Sequence, residues 1–102
     1  MKEALLLITT ESNEENAKNI AKLLIQNKLA ACVSIKNIYS IYKWNDNIEE
    51  TREVEITIKS KPELKDDLIL FIQKMSSYDV PQIIYKEFHT ESKYYEWLNK
   101  TI

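Results

Sequence analysis

The chain opens on an aliphatic run, Ala4 to Ile8, closed by Thr9 and Thr10. Consecutive apolar residues without alternation mark a short strand buried on both faces, so a central strand is predicted here. Ser12, Asn13, Glu14 and Glu15 then place a hydroxyl three residues ahead of a glutamate, the spacing of a capping box. Ala17, Ile20, Ala21 and Leu24 follow at helical spacing. A helix is predicted from about Asn13 to Asn27, capped by Ser12 and closed by Asn27 in the left-handed conformation.

Cys32 to Trp44 is rich in Ile, Val and Tyr, and in Ile48 to Ser60 the residues Val54, Ile56 and Ile58 alternate with Glu53, Glu55, Thr57 and Lys59. These are two long antiparallel strands, joined at Asn45, Asp46 and Asn47, residue types that tolerate a left-handed hairpin turn. In the first strand the apolar positions are odd at Val33 and Ile35 and even at Ile38, Tyr42 and Trp44, which predicts a bulge near Lys36 and Asn37. Past that point Tyr39 and Ile41 make the second face apolar as well. A chain of this size cannot cover both faces, so the arm is expected to pack between subunits.

Ser60, Lys61, Pro62 and Glu63 supply a hydroxyl cap, an early proline and a glutamate for a second helix, whose buried stripe is Leu64, Leu68, Phe71, Ile72 and Met75. A loop over Ser76 to Pro81, a strand over Ile83 to Phe88, and a short helix capped by Thr90 or Ser92 complete the chain. The order β-α-β-β-α-β plus a terminal helix is an α+β, ferredoxin-like sandwich, one domain over residues 1–102. That architecture serves enzymes, RNA binders and regulators alike, so function has to be sought in sites.

Composition narrows the chemistry. Among 102 residues there is no glycine, which removes phosphate-cradling loops, dinucleotide fingerprints and nucleophile elbows, each of which needs positive φ or close backbone approach. Fourteen Lys and Arg against sixteen Asp and Glu give a net charge of −2, no electrostatic footprint for nucleic acid or an anionic membrane. The longest apolar run is too short to span a bilayer. One cysteine and the absence of a tripartite leader make the cytoplasm the expected compartment.

Cys32 and His89 are the only soft donors of their kinds. They are 57 positions apart and without ligand spacing, so as metal ligands they are weak candidates beside packing and surface roles. Glu49, Glu50, Glu53 and Glu55 could offer oxygen to a hard cation, but Glu alternating with Lys on a strand is the pattern of a solvated or cross-strand paired face. The aromatics avoid the central strand that would carry them in an RNA-binding sheet, which leaves packing between subunits as their use. No catalytic residue is assigned. An acylphosphatase-like activity would need an anion cradle with an arginine, and Arg52 is the only arginine.

Five spaced motifs resemble one family: Lys28 to Cys32 after the first helix; Tyr42 and Trp44 with Ile48 and Glu53 around the hairpin; Ile58 and Lys59; Tyr78 and Pro81; and Tyr94, Trp97 and Leu98. From about Leu5 to Leu98 the chain resembles the CutA1 divalent-cation tolerance proteins. The resemblance implies a non-enzymatic homotrimer of ferredoxin-like subunits, similar in architecture to PII signalling proteins and linked to copper and other metals. It also implies cleft residues near the subunit junctions, at Lys28, Cys32, Tyr42, Trp44, Glu53, Lys59, Tyr78 and Trp97. It requires no cofactor, although copper or another divalent cation is a candidate ligand. The copper-ligand positions of some bacterial relatives fall on Thr9, Met75 and Ser76, where only Met75 suits copper, and then Cu(I). A PII-like alternative would use Lys28, Lys59 and Tyr78 to hold a small anionic metabolite between subunits.

Overall fold

In the computed structural model, which describes residues 2–102, four strands form one antiparallel sheet. In chain order the elements are β1 (Glu3–Glu11), α1 (Glu14–Gln26), β2 (Cys32–Trp44), β3 (Asn47–Ser60), a single 3-10 turn (Pro62–Leu64), α2 (Lys65–Met75), β4 (Ile84–His89) and α3 (Ser92–Thr101). The strand order β2-β3-β1-β4 makes β1 and β3 central, so that α1 and α2 each bridge two strands separated by a third. This is the predicted ferredoxin-like arrangement of two interlocked β-α-β units.

The sheet's two faces are covered unequally. Leu5, Leu7, Val54, Ile56 and Ile58 turn to one face and pack against Ala17, Ile20 and Leu24 of α1 and Leu68 and Ile72 of α2. Each is almost fully buried, and each such large aliphatic side chain contributes roughly 1.5–3 kcal/mol by leaving water. On the opposite face, Ala4 and its cross-strand neighbour Phe88 meet Leu98, Tyr94 and Ile102 around α3. The core therefore sits at the base of the sheet, and β2 and β3 run beyond it.

These two strands are 13 and 14 residues long and pair without interruption from Cys32↔Lys59 to Trp44↔Asn47. The predicted bulge is absent, because Lys36↔Glu55 and Asn37↔Val54 stay in register. The change of apolar phase has a different cause: past Asn37 and Val54 the helices no longer cover their face of the sheet, and the half-buried side becomes the opposite one, over Ile38, Ser40, Thr51 and Glu53, where the loop after α2 lies. Ile38 and Tyr42 lie on one side of the arm, Tyr39 and Ile41 on the other. Tyr39, Ile41, Trp44 and Ile48 are all exposed. The arm stretches the molecule to 46 × 25 × 23 Å.

Left-handed backbone falls on Lys28 (φ 56°), Asn45 (φ 49°) and Asp46 (φ 65°). The last two form the two-residue turn between the paired Trp44 and Asn47, the conformation in which Asn followed by Gly is preferred. Asp46→Gly should therefore raise stability by about 0.5 kcal/mol, the relief of left-handed strain exceeding the added freedom of the unfolded chain. Urea unfolding would measure it. The left-handed residue after α1 is Lys28 and not Asn27, which has φ −89° and instead donates its side-chain amide to the Leu23 carbonyl at 2.8 Å.

Every predicted N-cap shifts, while Asn27 does close α1. Asn13, one residue beyond Ser12, caps α1 by accepting from the Asn16 N–H at 2.8 Å. Ser60 caps no helix: it ends β3, fully buried, and donates to the Leu29 carbonyl at 2.6 Å. Pro62 opens the 3-10 turn, and α2 follows with no side-chain cap. For α3 the cap is Glu91, between the predicted Thr90 and Ser92, and it accepts from the N–H groups of Lys93 and Tyr94.

Candidate functional site

Where β1 ends, the chain carries a carboxyl group into the interior. Glu11 is 1% exposed and has no cationic partner among the described residues. It accepts instead from the N–H of Ser12 (3.4 Å), the side-chain amide of Asn16 (3.4 Å) and the N–H of Ser77 (3.2 Å). The Ser77 hydroxyl also donates to it. One side chain thereby ties the end of β1 to the start of α1 and to the loop after α2. Buried carboxyl oxygens need such donors, because an unpaired one would bear its full desolvation penalty.

The tied loop delivers Tyr78 to the arm. The Tyr78 N–H donates to the Ser76 hydroxyl at 3.1 Å, and its phenol O–H donates to Glu53 Oε2 at 2.7 Å. Burial first, then the hydrogen bond to Glu53 and the nearby charge of Glu53 and Glu11, hold the Tyr78 hydroxyl protonated well above the usual tyrosine range. Between this loop and the arm lies an open groove of about 620 Å³. Tyr42, Trp44 and Tyr78 give it aromatic surface, while Glu49, Glu53 and Asp79 give it carboxyl groups. Tyr42 and Glu49 are directly opposed across the β2-β3 ladder, which explains why they share a face.

Four of the eight expected cleft residues, Tyr42, Trp44, Glu53 and Tyr78, thus meet at one groove. The other four lie at the base of the arm. Cys32 and Lys59 are opposed at the start of the hairpin, and Lys28 lies just before it. Trp97 stacks at 5.5 Å on Tyr94, whose own hydroxyl is raised in pKa by burial and by the neighbouring Cys32 thiol. Tyr42 lies ten residue steps beyond Cys32 on the same strand, roughly 33 Å along the arm. Within one protomer the two groups do not meet.

The metal candidates are dispersed as well. Among the described residues no three His, Cys, Asp or Glu side chains come together to hold a cation. His89 faces Glu3, at 3.8 Å across the β1-β4 ladder. Thr9 is 2% exposed, Met75 lies at the end of α2, and the Ser76 hydroxyl is engaged by Tyr78, so these three positions form no soft-donor set. Two carboxyl residues of the groove and its support, Glu11 and Asp79, were not singled out from sequence, and Glu49 was weighed only as one of a run of oxygen donors on its strand. A glutamate closing an otherwise apolar strand is the one signal that could have marked Glu11.

Residues 5–101 match the model of the family described as CutA1 divalent ion tolerance protein. The chloroplastic protein CutA of Arabidopsis thaliana is 33% identical over 100 residues, covering 96% of this chain and 55% of the plant protein. The chain thus spans little more than half the length of that relative. The crystal structure of divalent ion tolerance protein CutA1 from Ehrlichia chaffeensis superposes with a TM-score of 0.93 at 36% identity, covering 99% of this chain and 96% of that one. The periplasmic divalent cation tolerance protein CutA from Archaeoglobus fulgidus gives a TM-score of 0.93 at 29% identity, over 96% and 97% of the two chains. The expected cytoplasmic residence is overturned by these relatives, one chloroplastic and one periplasmic. A lone cysteine and mild charge describe a fold that occurs in several compartments. No helix among the described residues is long and apolar enough to cross a membrane.

Proposed function

Because the chain belongs to the CutA1 divalent ion tolerance family, we propose that it works as a non-enzymatic homotrimer. In this reading a divalent cation or small ligand is held where the arm of one protomer meets its neighbour. The observation that carries it is the β2-β3 arm, apolar on both faces, one of which the described residues leave bare, with Ile41 65% and Ile48 77% exposed. Such surface on a projecting ribbon favours association.

The division of the cleft residues supports the same arrangement. A ring in which each arm reaches the base of the next would bring Tyr42, Trp44, Glu53 and Tyr78 of one protomer towards Lys28, Cys32, Lys59 and Trp97 of another. It would also gather donors that one protomer keeps apart. Carboxyl oxygens of the groove suit hard or borderline cations better than Cu(I), which prefers thiolate and thioether. Copper would be held by Cys32 or His89, and zinc by either kind of donor.

Sedimentation at micromolar concentration should give three times the 12.1 kDa chain mass. A monomer would overturn the proposal. Metal analysis after loading with copper or zinc tests the site: Glu53→Gln should lower zinc alone, whereas Cys32→Ser and His89→Ala should lower copper and, to a lesser degree, zinc. Unchanged content in all three variants would remove the metal half of the reading.

A further inference from the structure

The face of the sheet turned away from α1 and α2 is charged at its two ends with opposite sign. Register places Cys32, Lys59, Leu6 and Lys86 in one row across its base, with the two lysines on either side of Leu6 and roughly 10 Å apart. Further along β3 the same face carries Glu55, Glu53 and Glu49 towards the tip of the arm. Glu55 is paired with Lys36 at 3.5 Å. Glu49 and Glu53 line the groove with Asp79, and no Lys, Arg or His joins them there. Among the described residues neither these three carboxyl groups nor Lys59 and Lys86 form an ion pair.

One protomer cannot neutralise its own poles. Lys59 is six residue steps from Glu53 on β3, roughly 20 Å, and charges at physiological ionic strength are screened beyond about 8 Å. Between the poles lie Ile8 and its cross-strand partner Ile84, which belong to neither core cluster, and Ile84 is 54% exposed. An apolar strip with an acidic pole at one end and a basic pole at the other is complementary to a copy of itself laid arm over base. We propose that the groove's carboxyl groups are the counter-ions of Lys59 and Lys86 of the partner subunit, so that the base of a second copy closes the groove. The proposal rests on the reading of the arm as an interface between subunits and names what the groove pairs with there. Lys86 lies outside the cleft residues that the family resemblance implies.

Reversing the charge at one pole and then at both tests it, read by sedimentation equilibrium of the intact protein. Lys59→Glu with Lys86→Glu, and separately Glu49→Lys with Glu53→Lys, should each weaken the assembly at least about a hundredfold, because like charges then face each other. The variant carrying all four changes restores opposite charges at the junction and should return to within about tenfold of the parent. Far-ultraviolet circular dichroism reports whether each variant folds. Where one does not, the parent decides: its dissociation constant should rise at least about tenfold between about 0.05 and about 0.5 M sodium chloride. An assembled parent indifferent to salt would overturn the proposal. So would double variants as tight as the parent, or a four-change variant no tighter than the double ones. In each of these cases the oligomer reading stands, whereas a monomeric parent would overturn both.

Discussion

Exchanging Ile41 and Ile48 together for lysine is expected to leave the fold intact and convert the proposed trimer to monomers. Both side chains are exposed in the protomer, at 65% and 77%, and changes at such positions alter protomer stability by no more than about 0.5 kcal/mol. They are diagonal neighbours on one face of the arm, Ile41 opposite Glu50 and Ile48 opposite Lys43. In an interface each buried isoleucine contributes roughly 1.5–3 kcal/mol, and a lysine there would add an unpaired buried charge. Repeated at three junctions, the change exceeds what an assembly of small subunits can absorb. Far-ultraviolet circular dichroism should match the parent, while sedimentation should fall to the 12.1 kDa of one chain. A variant that still sediments as a trimer would exclude this face of the arm from the interface.

Glu11→Ala is expected to destabilise the protomer by about 2–4 kcal/mol, the largest effect of any single polar substitution in the chain. The loss combines a small cavity with the desolvation penalty of donors left without an acceptor: the N–H and hydroxyl of Ser77 and the amide of Asn16. Because Ser77 precedes Tyr78, the effect should extend to the groove. The loop over Ser76 to Gln82 should become a preferred site of proteolysis before global unfolding. Glu11→Gln keeps one acceptor oxygen and should fall between the parent and the alanine variant. Thermal melts and timed proteolysis separate these outcomes, and a parent-like Glu11→Ala would mean that the tie carries no stability.

Legibility in the sequence followed the size of the energy involved. The aliphatic run of β1, the alternation of β3 and the Leu68 and Ile72 stripe of α2 commit large side chains to the core, and no local preference competes with that; Met75, predicted in the same stripe, is exposed at the helix end. Caps are decided by a single hydrogen bond, and neighbouring residues of similar chemistry compete for it. Asn13 displaced Ser12 and Glu91 displaced Thr90 and Ser92, while Ser60 was drawn into the sheet by the Leu29 carbonyl. The bulge was misread because a change of apolar phase looks the same whether the strand shifts register or simply outruns its covering helices. In the groove, Tyr42, Trp44, Glu53 and Tyr78 were identified by motif. Glu11 was not, because its role depends on Ser77, 66 residues away, and no local pattern encodes that pairing.

None of the three left-handed positions, Lys28, Asn45 and Asp46, is a glycine, and the chain has none elsewhere. The native state bears a little strain at these three points. The denatured ensemble is affected at every point where a glycine might otherwise stand. Each residue with a Cβ narrows the backbone states open to the unfolded chain, an effect of about 0.4–1 kcal/mol per site where the native conformation is unstrained. Folding therefore starts from a stiffer coil, in which closing the two-residue turn of the arm forfeits less freedom. The strain at the tip of the arm is thus partly offset in a state that no contact in the folded molecule reveals.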